Sequence, residues 1–139
     1  MGETIIKNRE GDIHKALKFV QNDLKKNNFS HDFAVFIAIT IDEVLSNIVH
    51  YAYNDDKPHD IIIKTKTEET AFTLIFEDDG IPFNPLLHVS EAQADIPLVH
   101  RKKGGLGIYL VSQIVDDISY QRVGDKNILT LTKSEDKTV

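Results

Sequence analysis

FAVFIAITIDEVLSNIVHYAY, residues 33–53, is the stretch from which the fold can be read. As a helix it is apolar nearly all the way round, with Phe36, Ile37, Ile39, Ile41, Val44, Leu45, Ile48 and Val49 leaving no clean solvent face. A helix of that kind is expected to be buried. It nevertheless carries Glu43 and Asn47, four residues apart and so stacked on one face. An unpartnered polar group in such surroundings costs about 1–3 kcal/mol. Both side chains therefore need partners. A hydrated metal ion with a phosphate chain would supply them, and so would an ordinary buried hydrogen-bond network.

Outward from this helix the chain alternates between clear patterns and breaks. Upstream, Ile13, Leu17, Val20 and Leu24 recur at helical spacing between about Gly11 and Asn27, with Gly11-Asp12 as the cap. A short strand over residues 3–7 precedes it. Downstream, Asn54-Asp55-Asp56-Lys57-Pro58 is a turn by composition. DIIIKTKT and TAFTLIFEDD then read as two strands joined at Glu68-Glu69. Period two places Asp78 on one face with Phe72, Leu74 and Phe76, pointing into the core layer, and Gly80 follows to permit a turn.

Regular periodicity then fails from Ile81 to Lys103, where Pro82, Pro85 and Pro97 mark a long loop with a helical turn near residues 90–94. Loops of that length in a compact domain are usually lids, binding loops or disordered segments. Arg101-Lys102-Lys103 and Gly104-Gly105-Leu106-Gly107 close it, and a helix striped by Ile108, Leu110, Val111, Ile114, Val115 and Ile118 begins at once. Two strands, SYQRV and NILTLTK, flank a turn at Gly124-Asp125-Lys126. The order β-α-α-β-β-loop-α-β-β predicts an α+β fold, a two-layer α/β sandwich whose mixed, mostly antiparallel sheet is covered on one face by three helices. One domain over residues 1–139 is expected.

The bulk numbers narrow the function. At 139 residues the chain can build a core without staples, and it has no cysteine, so disulfides and thiolate metal sites are excluded. A net charge of −6 argues against nucleic-acid binding. The apolar runs are interrupted short of the roughly 18 residues that span a bilayer. MGETIIKNREGD lacks the apolar core of a signal peptide. A cytoplasmic domain, without membrane or nucleic-acid partners, is expected.

Three pieces carry candidate chemistry. The glycine cluster stands at a helix start, where free backbone N–H groups attract anions, and the basic residues ahead of it can neutralise phosphate charge. It is neither a Walker A loop nor a Rossmann fingerprint. Asp78, at a strand end, is an acceptor suited to an exocyclic amine such as adenine N6. Asn47 offers an amide oxygen to Mg²⁺, which prefers oxygen ligands, and Glu43 is placed one turn away as a general base.

Glu43-x-x-x-Asn47, Asp78-x-Gly80 and Gly104-Gly105-x-Gly107, in that order, resemble the N, G1 and G2 boxes of the GHKL superfamily of ATP-binding proteins, which includes gyrase and sensor histidine kinases. The resemblance spans roughly residues 10–133. Within the superfamily, IDEVLSNIVHYAY, FEDDGIPFNP and GGLGIYLV are most similar to the anti-sigma-factor serine/threonine kinases of bacterial partner-switching systems. The resemblance implies the GHKL (Bergerat) fold, with ATP and Mg²⁺ as cofactors. It makes Asn47 the ligand of metal and phosphate, Glu43 the catalytic base, and Asp78 the adenine acceptor with Gly80 beside the ring. Arg101, Lys103, Gly104, Gly105, Leu106 and Gly107 would hold phosphates, and residues 85–103 would form an ATP lid. Pro82 stands where the G1 box usually has a second glycine. The threonine usual on the last strand is displaced, because alternation puts Asn127 with Leu129 and Leu131 on the core face and Thr130 on the other. Asn127 takes its place as a candidate for the base or its water.

The implied activity is phosphorylation of a STAS-type anti-anti-sigma partner by a serine/threonine kinase that also binds a sigma factor. Dimers are common in such proteins, and a homodimer is compatible with this sequence. The alternative is a non-catalytic, nucleotide-gated binding module, against which Glu43 argues, since a pure binder has no use for a base there. No helix pair with a phospho-acceptor histidine precedes the boxes, so a complete sensor histidine kinase is not expected. His14, His50, Tyr51 and Tyr53 read as ordinary helix or packing residues, and Asp55-Asp56 and Asp116-Asp117 as solvated charges.

Overall fold

The structure, a computed structural model, describes residues 1–88 and 105–136. Most of the expected lid, the turn near 90–94, and Arg101, Lys103 and Gly104 lie outside those residues. The elements run β1 (Gly2–Lys7), α1 (Glu10–Lys26), α2 (His31–Tyr51), β2 (Asp60–Glu68), β3 (Ala71–Asp78), a 3-10 turn (Pro85–His88), α3 (Gly105–Ile114), β4 (Asp117–Val123) and β5 (Lys126–Ser134). This is the expected order. The sheet, β1-β2-β3-β5-β4, is antiparallel at every pairing and not mixed. Two hairpins, β2–β3 and β4–β5, and two long connections, β1 to β2 through α1 and α2 and β3 to β4 through α3, build it, so no parallel crossover is needed.

Alternation decides which face is covered. Ile61, Ile63, Phe72, Leu74, Phe76, Leu129 and Leu131 are buried in one cluster with Ile13, Val20 and Leu24 of α1, Ile37, Ile41 and Leu45 of α2, and Ile108 and Val111 of α3. Asp78 and Asn127 lie on this same face, as their strand positions require.

The link between α1 and α2 is tight because of its residues. Asn28 takes a left-handed φ of 63°, a conformation asparagine tolerates at a helix end. The Phe29 and Asn28 N–H groups return to the Leu24 and Lys25 carbonyls, satisfying helix-end acceptors. Phe29 stacks on Phe33, and Ser30 caps α2 by accepting from the Phe33 N–H.

The expectations for two helices are corrected. Helix α1 starts at Glu10 behind Arg9, and Asp12 is no cap. Its buried carboxylate accepts the Lys7 N–H, which, with Arg9 and Lys15 nearby, holds it below the usual carboxylate range despite some desolvation. Helix α2 is not buried all round, for Val35, Phe36 and Ile39 are 40–45% exposed. It packs against α1 and α3, and among the described residues no further helix covers its outward stripe, though Lys133 reaches over the Phe36 ring. By length and composition α2 could also cross a membrane, contrary to the reading of its runs as too short. Its inward residues instead form the core of the sandwich.

Candidate functional site

Four segments meet at one end of the sheet. Val44, Asn47 and Ile48 of α2, Asp78 at the end of β3, Phe83 and Pro85 beyond it, Ile108 of α3, and Tyr120, Asn127 and Leu129 of β4 and β5 line a single cleft. The walls are largely apolar, and the polar groups are few and convergent, as in small-molecule sites generally. The free volume is about 30 Å³, room for about one water.

Asp78 is the centre of the polar group. It is 5% exposed, and its Oδ1 accepts from the Gly80 N–H and from Asn127 Nδ2, each at 2.9 Å. Among the described residues Oδ2 has no partner. Burial pushes this carboxyl up, and those two hydrogen bonds pull partly against it. The strand register sets Asn127 directly opposite Asp78. Asn127 Nδ2 also donates to the Ile81 carbonyl at 2.8 Å, while its Oδ1 accepts from the Phe83 N–H and the Tyr120 hydroxyl. Asn127 thus spends its amide on holding Asp78 and the 81–83 segment.

Gly80 is glycine because of packing, not because of its φ. A Cβ there would stand 2.4 Å from the Ala52 carbonyl oxygen, the same oxygen that accepts the Ile81 N–H at 2.8 Å. The collision is with backbone, which cannot swing aside. Gly80→Ala is therefore expected to cost about 1–3 kcal/mol of stability, the usual penalty of overpacking, read as a lower denaturation midpoint in urea. An unchanged midpoint would mean that the two segments separate freely.

Asn47 is 9% exposed and lines the cleft, and among the described residues its side-chain amide makes no hydrogen bond. An amide that faces the cleft is placed for a ligand there to hydrogen-bond. Glu43, one turn earlier, sits against α3. A Cβ on Gly107 would lie 1.9 Å from Glu43 Oε2. The carboxylate therefore rests over the first turn of α3, where the backbone N–H groups of Gly105, Leu106 and Gly107 have no partner within the helix. Desolvation, then the neighbouring Asp42, raise the Glu43 carboxyl above its ordinary value. Among the described residues no three of His, Cys, Asp and Glu gather as a metal site. The Asn47 amide oxygen suits an ion that takes a single protein ligand and keeps waters or phosphate oxygens, as Mg²⁺ does.

Of the residues singled out from sequence, Asn47, Asp78 and Asn127 line one cleft, Gly80 is bonded to Asp78, and Glu43 and Gly107 touch each other; Gly105 and Leu106 open α3. Tyr120, Phe83 and Arg122 were missed. The Arg122 guanidinium donates to the Gly80 carbonyl at 2.8 Å and steadies the same turn from β4. Alternation puts Tyr120 on the inner face, but nothing in its own segment signals a partner seven residues on. Asp55, read as solvated, pairs with His59, and His50 pairs with Glu10 of α1.

A family model for the histidine kinase-like ATPase domain matches residues 6–133. Serine-protein kinase RsbW of Bacillus mycoides (strain KBAB4) is 33% identical over 93 residues, 65% of this chain and 58% of its own. Its counterpart in Bacillus cereus (strain AH187) is 30% identical over 96 residues, 67% of this chain and 59% of its own. The match thus spans less than two thirds of the length of these curated relatives. Among solved structures, the Acinetobacter baumannii histidine kinase AdeS aligns with a TM-score of 0.52 at 14% identity, over 99% of this chain and 69% of that one. That likeness concerns the fold.

Proposed function

The chain belongs to the family of histidine kinase-like ATPase domains, and on that premise we propose that it is a cytoplasmic, ATP-dependent serine/threonine kinase. Its substrate is a STAS-domain anti-anti-sigma protein, and a sigma factor is its second partner. The single observation that carries this reading is the cleft that Asn47 and Asp78 line together, with the Glu43–Gly107 contact one helical turn from Asn47. The relatives named serine-protein kinases support the reaction class.

In this reading the adenine amine donates to the unpartnered Asp78 Oδ2, beside the turn at Gly80. The phosphates would lie toward the N–H groups of Gly105, Leu106 and Gly107, and the family resemblance adds Arg101 and Lys103 of the 85–103 segment and Gly104 after it as phosphate-binding residues. The Asn47 amide oxygen would hold Mg²⁺, which supplies charge neutralisation on the phosphates. Asn127 acts through Asp78 and the 81–83 turn. Glu43 accepts the proton of the attacking seryl or threonyl hydroxyl. The new O–P bond forms as the bond to the β-phosphate oxygen breaks, and ADP leaves with that electron pair. Phosphoryl transfer needs mainly positioning and charge stabilisation, and these groups provide both.

The test is incubation with Mg-ATP and STAS-domain proteins. Wild type is expected to phosphorylate its partner on a serine or threonine, and Asn47→Ala to lose at least most of that activity. Equal phosphorylation by the two would defeat the assignment. A wild type that binds nucleotide, changes its partner affinity and transfers nothing would leave the non-catalytic module in its place.

A further inference from the structure

His59 stands between two carboxylates on two different segments. Its Nε2 lies 2.8 Å from Asp55 Oδ1, in the link after α2, and its Nδ1 lies 3.2 Å from Asp79 Oδ1, at the end of β3. The ring stacks on Tyr53 at 4.2 Å between centroids and is tilted by only 13°. Its side chain is 18% exposed. The backbone is fixed as well: the His59 N–H donates to Asn8 Oδ1, and its carbonyl accepts from the Asn8 N–H. These contacts surround the place where the link after α2 presses on the turn after Asp78, through Gly80, Ala52 and the Ile81 hydrogen bond.

We propose that His59 is a positioning residue for the adenine end of the cleft, a proton-operated clasp that holds the Asp79–Gly80 turn against the link after α2. An imidazolium has two N–H donors and satisfies both carboxylates, whereas neutral imidazole has one and must release either Asp55 or Asp79. Releasing Asp79 loosens the residue next to Asp78. The consequence for nucleotide rests on the function proposed above; the clasp itself does not.

The charged groups around His59 are few. Asp55 also accepts from the Lys57 N–H, and Asp60 is paired with Lys7. Asp78 lies beyond Asp79, and Arg122 lines the same hollow. The Tyr53 hydroxyl stays neutral, because burial first and then four nearby aspartates push it up. For His59 the hydrogen bond to Asp55 is the largest influence, followed by burial in opposition, and the net effect is a value above the ordinary 6.5. A raised histidine means a clasp fully engaged below the ordinary value and lost as pH rises through the raised one.

The test is a titration of the full chain with ADP between pH 6 and 9, with the His59 ring followed by NMR. ADP affinity in wild type is expected to fall about three- to ten-fold across the His59 transition, because nucleotide binding and protonation of the ring favour the same closed turn. His59→Gln and Asp79→Asn should both lack that transition. Protection of the Gly80 and Ile81 amides without nucleotide, measured as exchange relative to the intrinsic base-catalysed rate at each pH, should fall across the same range in wild type only. Identical pH profiles in wild type and both variants would overturn the clasp. If ADP fails to bind at any pH while exchange still follows His59, the proposed function falls and the clasp stands. If exchange ignores His59, the clasp falls.

Discussion

With Glu43 replaced by glutamine, phosphotransfer is expected to drop by about 10²–10⁴-fold, the usual worth of a positioned base, while nucleotide affinity changes by roughly two-fold or less. Glutamine keeps the shape of the side chain that rests over Gly107, so packing of α2 on α3 is preserved and only the basic oxygen is lost. The pH dependence gives a second check. Burial, then Asp42, raise the Glu43 carboxyl, which moves it toward working pH, where a base is most effective. Wild-type activity should therefore fall as pH drops through that raised value, because the protonated acid cannot accept a proton. The variant should lack this acid limb. Rates from single turnovers with pre-bound Mg-ATP would separate the effect from binding. An undiminished rate in Glu43→Gln would remove Glu43 from the chemistry.

Asp78→Asn is expected to do the opposite, sparing the fold and removing the ligand. The amide oxygen of the variant can still accept from the Gly80 N–H and Asn127 Nδ2, the two bonds that Asp78 makes now. The other carboxylate oxygen becomes an amide nitrogen, which meets the adenine amine donor to donor. A charge-assisted hydrogen bond contributes about 1.5–3 kcal/mol, so adenine nucleotide affinity should fall about 10- to 150-fold. Stability should hold or rise, since burial already penalises the Asp78 charge and pushes its carboxyl up. Calorimetric titration with ADP beside a urea melt of each protein reads both at once. A variant that melts early and binds normally would show Asp78 to be structural.

What could be read in the sequence follows from which interactions are local. Period two placed Asp78 with Phe72, Leu74 and Phe76, and Asn127 with Leu129 and Leu131, and all of these are buried on one face. Four-residue spacing placed Glu43 one helical turn from Asn47. The resemblance of the three boxes then supplied the expectation that distant segments meet. What stayed hidden depends on register and packing across the chain. That Asn127 faces Asp78, and that Gly80 touches Ala52, follow from pairings no short window contains. Helix α2 misled for the opposite reason. A sequence apolar on every side carries no phase, so the stripe of Val35, Phe36 and Ile39, partly exposed among the described residues, could not be told from the stripe that is buried.

In the proposed function, Asn47, Asp78 and the start of α3 together clasp a magnesium-bearing adenine nucleotide. The most direct measurement is calorimetric titration of wild type and Asn47→Ala with ATP, with and without Mg²⁺. Wild type should bind ATP more tightly with Mg²⁺ than without it, and Asn47→Ala should lose that difference. No heat of binding from wild type at millimolar ATP, or a magnesium effect untouched by the loss of Asn47, would contradict it.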